Sequence, residues 1–411
     1  MTGDKRERFP VRVWLISFLG WTFDFYDLML ISFLLIPIGK DLRLSVPEEA
    51  LILGVALGAS GIGGILFGYL SDRYGRKQVM TWTIGLYSLG TALCALSAGP
   101  WSLLLFRLLT GLGVGGEWAV GHALVQEFSP GHMRGRAAAF LQAGEPLGVG
   151  LAAVMGLLIT PLIGWRWVFA VSSATAVLAV VARRHLPEST LWERQKEKRL
   201  TPAATLRWIA RHGFLPPLVK GWVLGVFKLG TYWTCYVWLP RFLQHQFRQP
   251  VGRSATWILT AQSGQLLGML LFGFTADRYG RRQAYTLYSL LTACAIYALA
   301  FHWEWILPRT GLFWTVMFTM GIGSGCTAGF GALLAELFPT QVRNFAMGTA
   351  YNCARGVQFF APMVVSSLVA RYGVRGGLGV PLVLALATAT WVWVLPETRR
   401  RDLARIGGPS S

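Results

Sequence analysis

The chain has 411 residues, of which 54% are hydrophobic and only 14% charged. Soluble domains carry about a quarter charged residues, so lipid is the expected solvent and a soluble enzyme is excluded. A net charge of +19 would suggest nucleic acid in a soluble protein, but its placement along the chain assigns it elsewhere.

Crossing a hydrocarbon core of about 30 Å takes roughly 20 apolar residues. In chain order such stretches occur at 13–37, 50–71, 79–98, 101–126, 137–162 and 166–184. After a polar middle they follow at 217–240, 254–276, 284–303, 311–335, 345–369 and 376–395. The fold class predicted is an all-α membrane protein with twelve transmembrane helices. It divides into an N-terminal six-helix bundle (1–184), a cytoplasmic linker (185–216), and a C-terminal six-helix bundle with a short tail (217–411). The first stretch is too long for a signal peptide and is expected to remain as a helix.

With an even number of spans, 26 of the 38 Lys and Arg fall on the side that holds both termini, nine on the other, and three inside spans. The positive-inside rule places both termini in the cytoplasm, and the bias accounts for the basic charge without nucleic acid. The expected setting is the cell membrane, plasma or inner, and the expected functional unit is a monomer. The five cysteines are scattered without ligand spacing and the six histidines form no metal motif, so neither a metal nor another cofactor is expected.

The segment Gly68-Tyr69-Leu70-Ser71-Asp72-Arg73-Tyr74-Gly75-Arg76-Lys77 returns as Gly273-Phe274-Thr275-Ala276-Asp277-Arg278-Tyr279-Gly280-Arg281-Arg282. Glu127 and Arg134 return as Glu336 and Arg343, and Pro187-Glu188 as Pro396-Glu397. Three landmarks in the same order mark a duplication. Two similar bundles can rock about a site held between them. In the repeated segment the glycines allow a tight turn and close contact. Each Asp can meet a positive helix N-terminus or an Arg across the interface. Asp72, Arg73, Gly75, Arg76, Asp277, Arg278, Gly280 and Arg281, with Glu127, Arg134, Glu336 and Arg343, are thus the candidate cytoplasmic gate.

These paired segments resemble the signature of the major facilitator superfamily, over nearly the whole chain. The resemblance implies two six-helix bundles working by alternating access. Arg107-x-x-x-Gly111-x-Gly113-x-Gly115-Gly116-Glu117-Trp118 and Gly164-Trp165-Arg166-Trp167 resemble the metabolite, aromatic-acid and sialate:proton symporters within it. Phe23-Asp24-Phe25-Tyr26-Asp27 and Tyr351-Asn352-x-x-Arg355-Gly356 resemble the sialate and lactate branch. Gly144-Glu145-Pro146-Leu147-Gly148 partly echoes a motif of drug antiporters.

An ionisable group at the bilayer centre costs about 2.5–3.5 kcal/mol and needs a reason. At about 1.5 Å per residue, Asp24, Asp27, Glu117, Glu145, Lys228 and Arg355 all converge on the middle layer. Asp24 and Asp27, at i and i+3, share a helix face and cannot comfortably both ionise. They are the candidate proton-coupling site, with Glu145 next; alternatively these acids lock packing against Lys228 or Arg355. The planar fork of Arg355 suits a carboxylate. Tyr351, Asn352, Lys228, Tyr232 and Trp233 complete the candidate substrate pocket, unless the cations are permanently paired with Glu117 or Glu145. Arg107 and Glu117 are read as structural, Glu117 pairing either with Arg107 or with a cation on another helix. The expected activity is proton-coupled import of a small organic anion, its partners being that anion, protons and the bilayer. The rivals are a proton-driven antiporter exporting drugs or organic acids, and a sugar or polyol symporter.

Overall fold

The computed structural model describes residues 11–173, 187–194, 201–247, 251–403 and 406. Of the basic residues used for the topology, Lys5, Arg6, Arg8, Arg183, Arg184, Lys196, Lys198, Arg199, Arg248 and Arg405 lie outside these. Among the described residues the chain is helical and contains no strand. Seven helices there are long and apolar enough to cross a membrane on length and composition.

The first half opens with α1 (Val11–Leu42), α2 (Val46–Tyr74), α3 (Arg76–Cys94) and α4 (Pro100–Phe128). Next, α5 is built from Arg134–Gln142 and Gly144–Val154, continued by a π-helical turn at Met155–Ile159 and by Thr160–Ile163. Pro146 explains the break at Ala143. It brings no N–H for the carbonyl of Gln142, and its ring crowds that carbonyl. The sixth helix, α6, is described over 165–173.

The second half repeats the plan with α7 (Leu215–Phe247), α8 (Val251–Tyr279) and α9 (Arg281–Phe301). Then α10 runs through Thr310–Ser324, a 3-10 turn Gly325–Ala328 and Gly329–Ala335. The eleventh span, expected to be continuous, begins as α11 (Arg343–Val357) and tightens into a 3-10 turn at Gln358–Phe360. Helix resumes at Ala361–Trp391, and Gly373 (φ 62°) separates the outer end of that span from α12 (374–391).

Two glycine devices set the geometry. Gly75 and Gly280 end α2 and α8 at φ 111° and 114°, a conformation costly for any residue with a Cβ, so the chain turns at once into α3 and α9. Inside the first bundle, α2 and α4 interleave so closely that a Cβ on Gly115 would stand 2.1 Å from the carbonyl oxygen of Ser60. The halves meet where α2 packs on α11 and α5 on α8. Between them the linker lays a helix, Pro202–Arg211, whose Ile209 is buried and whose Trp208 stacks on Phe214.

Candidate functional site

The repeated segments come together at one end of the two bundles. Asp72, on α2, accepts from the backbone N–H groups of Asn344 (3.2 Å) and Phe345 (2.9 Å), the start of α11 in the other half. Asp277, on α8, does the same at the start of α5, from Gly135 (2.8 Å) and Arg136 (3.0 Å). Both carboxylates therefore sit on the positive end of a helix belonging to the opposite half. Each also pairs with an arginine of its own half: Asp72 with Arg76 at 3.2 Å, Asp277 with Arg281 at 2.8 Å. Both aspartates thus use the helix N-terminus, and Asp277 also meets an arginine across the interface, Arg136 at 3.2 Å.

Arg76 and Arg281 pass the charge on. Arg76 reaches Glu127 at 3.1 Å, and Arg281 reaches Glu336 at 2.9 Å. Glu127 is shared with Arg343 of the other half, at 2.6 Å. Arg134, the counterpart of Arg343, donates instead to the carbonyl of Arg401 in the tail. Arg73 and Arg278 stay at the periphery, Arg73 donating to the Tyr69 hydroxyl at 3.0 Å and Arg278 lying over Tyr279. The Pro-Glu pairs after each bundle act as caps. Glu188 accepts from the N–H groups of Arg76 and Lys77 at the start of α3, and Glu397 from those of Arg281 and Arg282 at the start of α9.

The midplane is arranged differently. Glu145 follows the break in α5 and accepts from Gln142 (2.6 Å) and, across the halves, from Gln265 on α8 (3.2 Å). Arg355 and the hydroxyl of Tyr232 also act on its carboxylate. The Arg355 guanidinium lies 4.9 Å from the ring centre of Tyr351 and 5.7 Å from that of Trp21 on α1, and its Nη2 donates to the Tyr351 hydroxyl at 3.4 Å. Its Nη1 is buried with no hydrogen-bond partner. Among the described residues neither Arg355 nor Lys228 forms an ion pair within 4.0 Å, and both are buried. Tyr351 stacks face to face on Trp118 of α4, ring centres 3.6 Å apart. Trp233 packs edge-on against Tyr232.

Other candidate residues lie elsewhere. Asn352 is turned from Arg355 into the contact between halves, where its amide donates to the Gly115 carbonyl at 2.8 Å. Asp24 and Asp27 are buried on α1. Thr91 of α3 donates to Oδ2 of Asp27, and Oδ1 is buried with no hydrogen-bond partner. Arg107 does not join Glu117. It donates to the backbone carbonyls of Asp27 (3.3 Å) and Leu28 (3.4 Å), while Glu117 accepts from Thr83 of α3 at 3.0 Å. Both tie helices together inside the first bundle.

Residues 15–256 and 251–410 match the Major Facilitator Superfamily. The chain belongs to that superfamily. A protein of Haemophilus influenzae named for metabolite transport is 32% identical over 398 residues, 94% of this chain and 96% of that one. The sialic acid transporter NanX of Escherichia coli is 29% identical, covering 90% of this chain and 88% of its own. The solved proton:xylose symporter XylE superposes with a TM-score of 0.78 at 19% identity, over 96% of this chain and 98% of that one.

The family and its relatives are transporters, so this is a multi-pass membrane transporter and not an enzyme, folded as two six-helix bundles. Within that frame the candidate gate residues form a set of charged contacts between the halves. Sequence reasoning passed over Gln142 and Gln265, which hold Glu145. The available signal was amide side chains inside otherwise apolar spans, whose burial demands hydrogen-bond partners.

Proposed function

We propose that the protein imports a small organic acid together with a proton, as a monomer in the cell membrane with both termini in the cytoplasm. The observation that carries this reading is Arg355. It is a buried guanidinium with no ion pair among the described residues, one nitrogen without an acceptor, and aromatic rings of both halves beside it. Such a group is costly to keep in the membrane unless a ligand completes it, and a carboxylate can take both of its outer N–H groups. Lys228 adds a second cation on α7. The name of the sialic acid transporter among the relatives favours an acid over a neutral sugar.

Glu145 sits on the interface and touches both halves through Gln142 and Gln265, so the charge it carries affects how they meet. Asp27 keeps one carboxylate oxygen unpartnered, a place for a proton one turn from Asp24. Loading one proton with a monoanion makes the cycle electroneutral.

Uptake into proteoliposomes, with a pH gradient and a panel of organic acids and sugars, tests the reading. Acid outside should drive accumulation of one acid. Arg355→Gln should weaken its binding more than tenfold, about 1.4 kcal/mol, and Arg355→Lys should not restore it, because the ammonium lacks the fork. Asp27→Asn should abolish accumulation while sparing exchange. Unchanged affinity in Arg355→Gln removes the carboxylate role; accumulation surviving in both Asp24→Asn and Asp27→Asn removes the coupling role.

A further inference from the structure

His122 sits on α4 at the surface where the halves meet, and its hydrogen bonds determine which nitrogen carries the proton. The Gln142 amide donates from Nε2 to Glu145, and its Oε1 accepts from the indole N–H of Trp118 at 3.1 Å. An indole nitrogen only donates, so that Gln142 atom is the oxygen. Nε2 of His122 lies 3.0 Å from the same oxygen and must therefore be an N–H. That leaves Nδ1 as the bare lone pair, and it is buried without a hydrogen-bond partner.

What faces Nδ1 is backbone of the other half. A Cβ built on Gly331 of α10 would stand 1.9 Å from it, so Gly331 is the residue that lets α10 close over the ring. From that helix His122 meets Gly331, and Phe330 beside it packs on Tyr351. From α5 the facing groups are Gln142 and, one hydrogen bond further, Glu145. From α11 comes Tyr351, stacked on Trp118, with Arg355 behind its hydroxyl. On its own helix Glu117, five residues back, accepts from Thr83 of α3. A second N–H at Nδ1 would point at Gly331 with no acceptor, and a buried cation without one is strongly disfavoured.

We propose that His122 gates closure of the cytoplasmic side through its protonation: the halves close on the neutral ring, and the imidazolium holds them apart. Once they part, water reaches Nδ1 and the ring can take up its second proton. A cytoplasm acidified by incoming acid and protons would then retain the carrier open inward and slow its return. The mechanism stands whether or not protons drive uptake, because the interface can be read without substrate or gradient.

The test uses the full chain with its five native cysteines replaced. Spin labels are placed at Gln78→Cys and Gln283→Cys, exposed equivalents at the starts of α3 and α9. Between about pH 7.5 and about pH 5.5 the closed population should fall at least about threefold. His122→Gln keeps a donor for Gln142 but cannot titrate, so its closed population should change far less. Gly331→Ala displaces the ring at any pH, so it should already be open at about pH 7.5 and show little pH response. The proposal is overturned if His122→Gln keeps the wild-type pH response, if the wild-type distance ignores pH, or if Gly331→Ala stays closed at neutral pH. Loss of gradient-driven uptake with this pattern intact would remove the coupling reading and leave the His122 gate standing.

Discussion

The first half and the second half build the candidate gate from the same residues but connect them differently. In both, an aspartate sits on the first turn of a helix from the other half and an arginine links it to a glutamate. From there the wiring diverges. Glu127 is shared between Arg76 of its own half and Arg343 of the other, at 3.1 and 2.6 Å. Glu336 keeps to its own half, with Arg281 at 2.9 Å and the Thr398 hydroxyl at 2.7 Å. The contact joining Arg136 to Asp277 also crosses, but Arg136 is 32% exposed, whereas both partners of the Glu127–Arg343 pair are at 1% or less. Burial decides their weight: an exposed pair is worth about 0–1 kcal/mol, while stripping one partner from a buried pair costs about 3–5 kcal/mol. A duplicated chain can thus keep symmetric aspartate contacts while its two glutamates are wired differently.

The largest expected effect breaks the Glu127–Arg343 pair. Arg343→Gln leaves Glu127 short of a cation and removes guanidinium bonds to the carbonyls of Ala335, Phe338 and Leu403. It should destabilise the closed state by about 3–5 kcal/mol, read as a shift to longer distances between labels at positions 78 and 283. Arg134→Gln, the same change at the equivalent site, gives up a bond to one tail carbonyl and should cost about 1–2 kcal/mol. Equal effects would show that the asymmetry carries no energy. Smaller still, Asp72→Asn and Asp277→Asn should each weaken closure by about 0.3–1 kcal/mol, and by similar amounts, because each loses the same charge at a helix N-terminus. A large difference between these two would move the asymmetry from the glutamates to the aspartates.

How far these contacts could be read in the sequence depends on what kind of information they need. Twelve apolar stretches and the repeat at 68–77 and 273–282 announced the family fold, since span length and turn glycines are local properties. The residues that join the halves were legible because they recur. Their wiring was not: Arg343 and Arg134 occupy matching positions, and only packing of the tail decides that one meets a glutamate and the other a carbonyl. At the midplane, depth counting found Arg355, Lys228 and Glu145, because charge in an apolar run is conspicuous. It could not orient side chains around a helix. Asn352, one turn from Arg355, was placed in the pocket but points into the contact with α4. Arg107 and Glu117, whose pairing was one of two alternatives the sequence left open, are ten residues apart on one helix, and each faces a different neighbour. The break that positions Glu145 was visible as Pro146, yet the glutamines that hold it were hidden among residues with no charge to mark them.

The smallest effect separates the two caps. Glu188 accepts from two helix N–H groups at the start of α3 and from the N–H of Ser189. Glu397 accepts from two at the start of α9 and from those of Thr398 and Arg399. Burial pushes the Glu397 carboxyl up, but these four backbone N–H groups outweigh it and hold the group below the usual carboxylate range. A carboxylate whose folded value is depressed contributes stability above its unfolded value, about 4.3 for Glu, and loses it as pH falls through the folded one. Glu397→Gln should therefore lower the melting temperature at neutral pH, by about a degree or two in a chain of this size. That deficit should shrink below about pH 4.3 as the wild-type carboxylate protonates. Thermal unfolding of wild type and variant across that range reads it directly. A deficit that stays constant in acid would mean that shape, and not charge, holds the tail against α9. The tail carbonyls that receive Arg134 and Arg343 would then be positioned by packing alone.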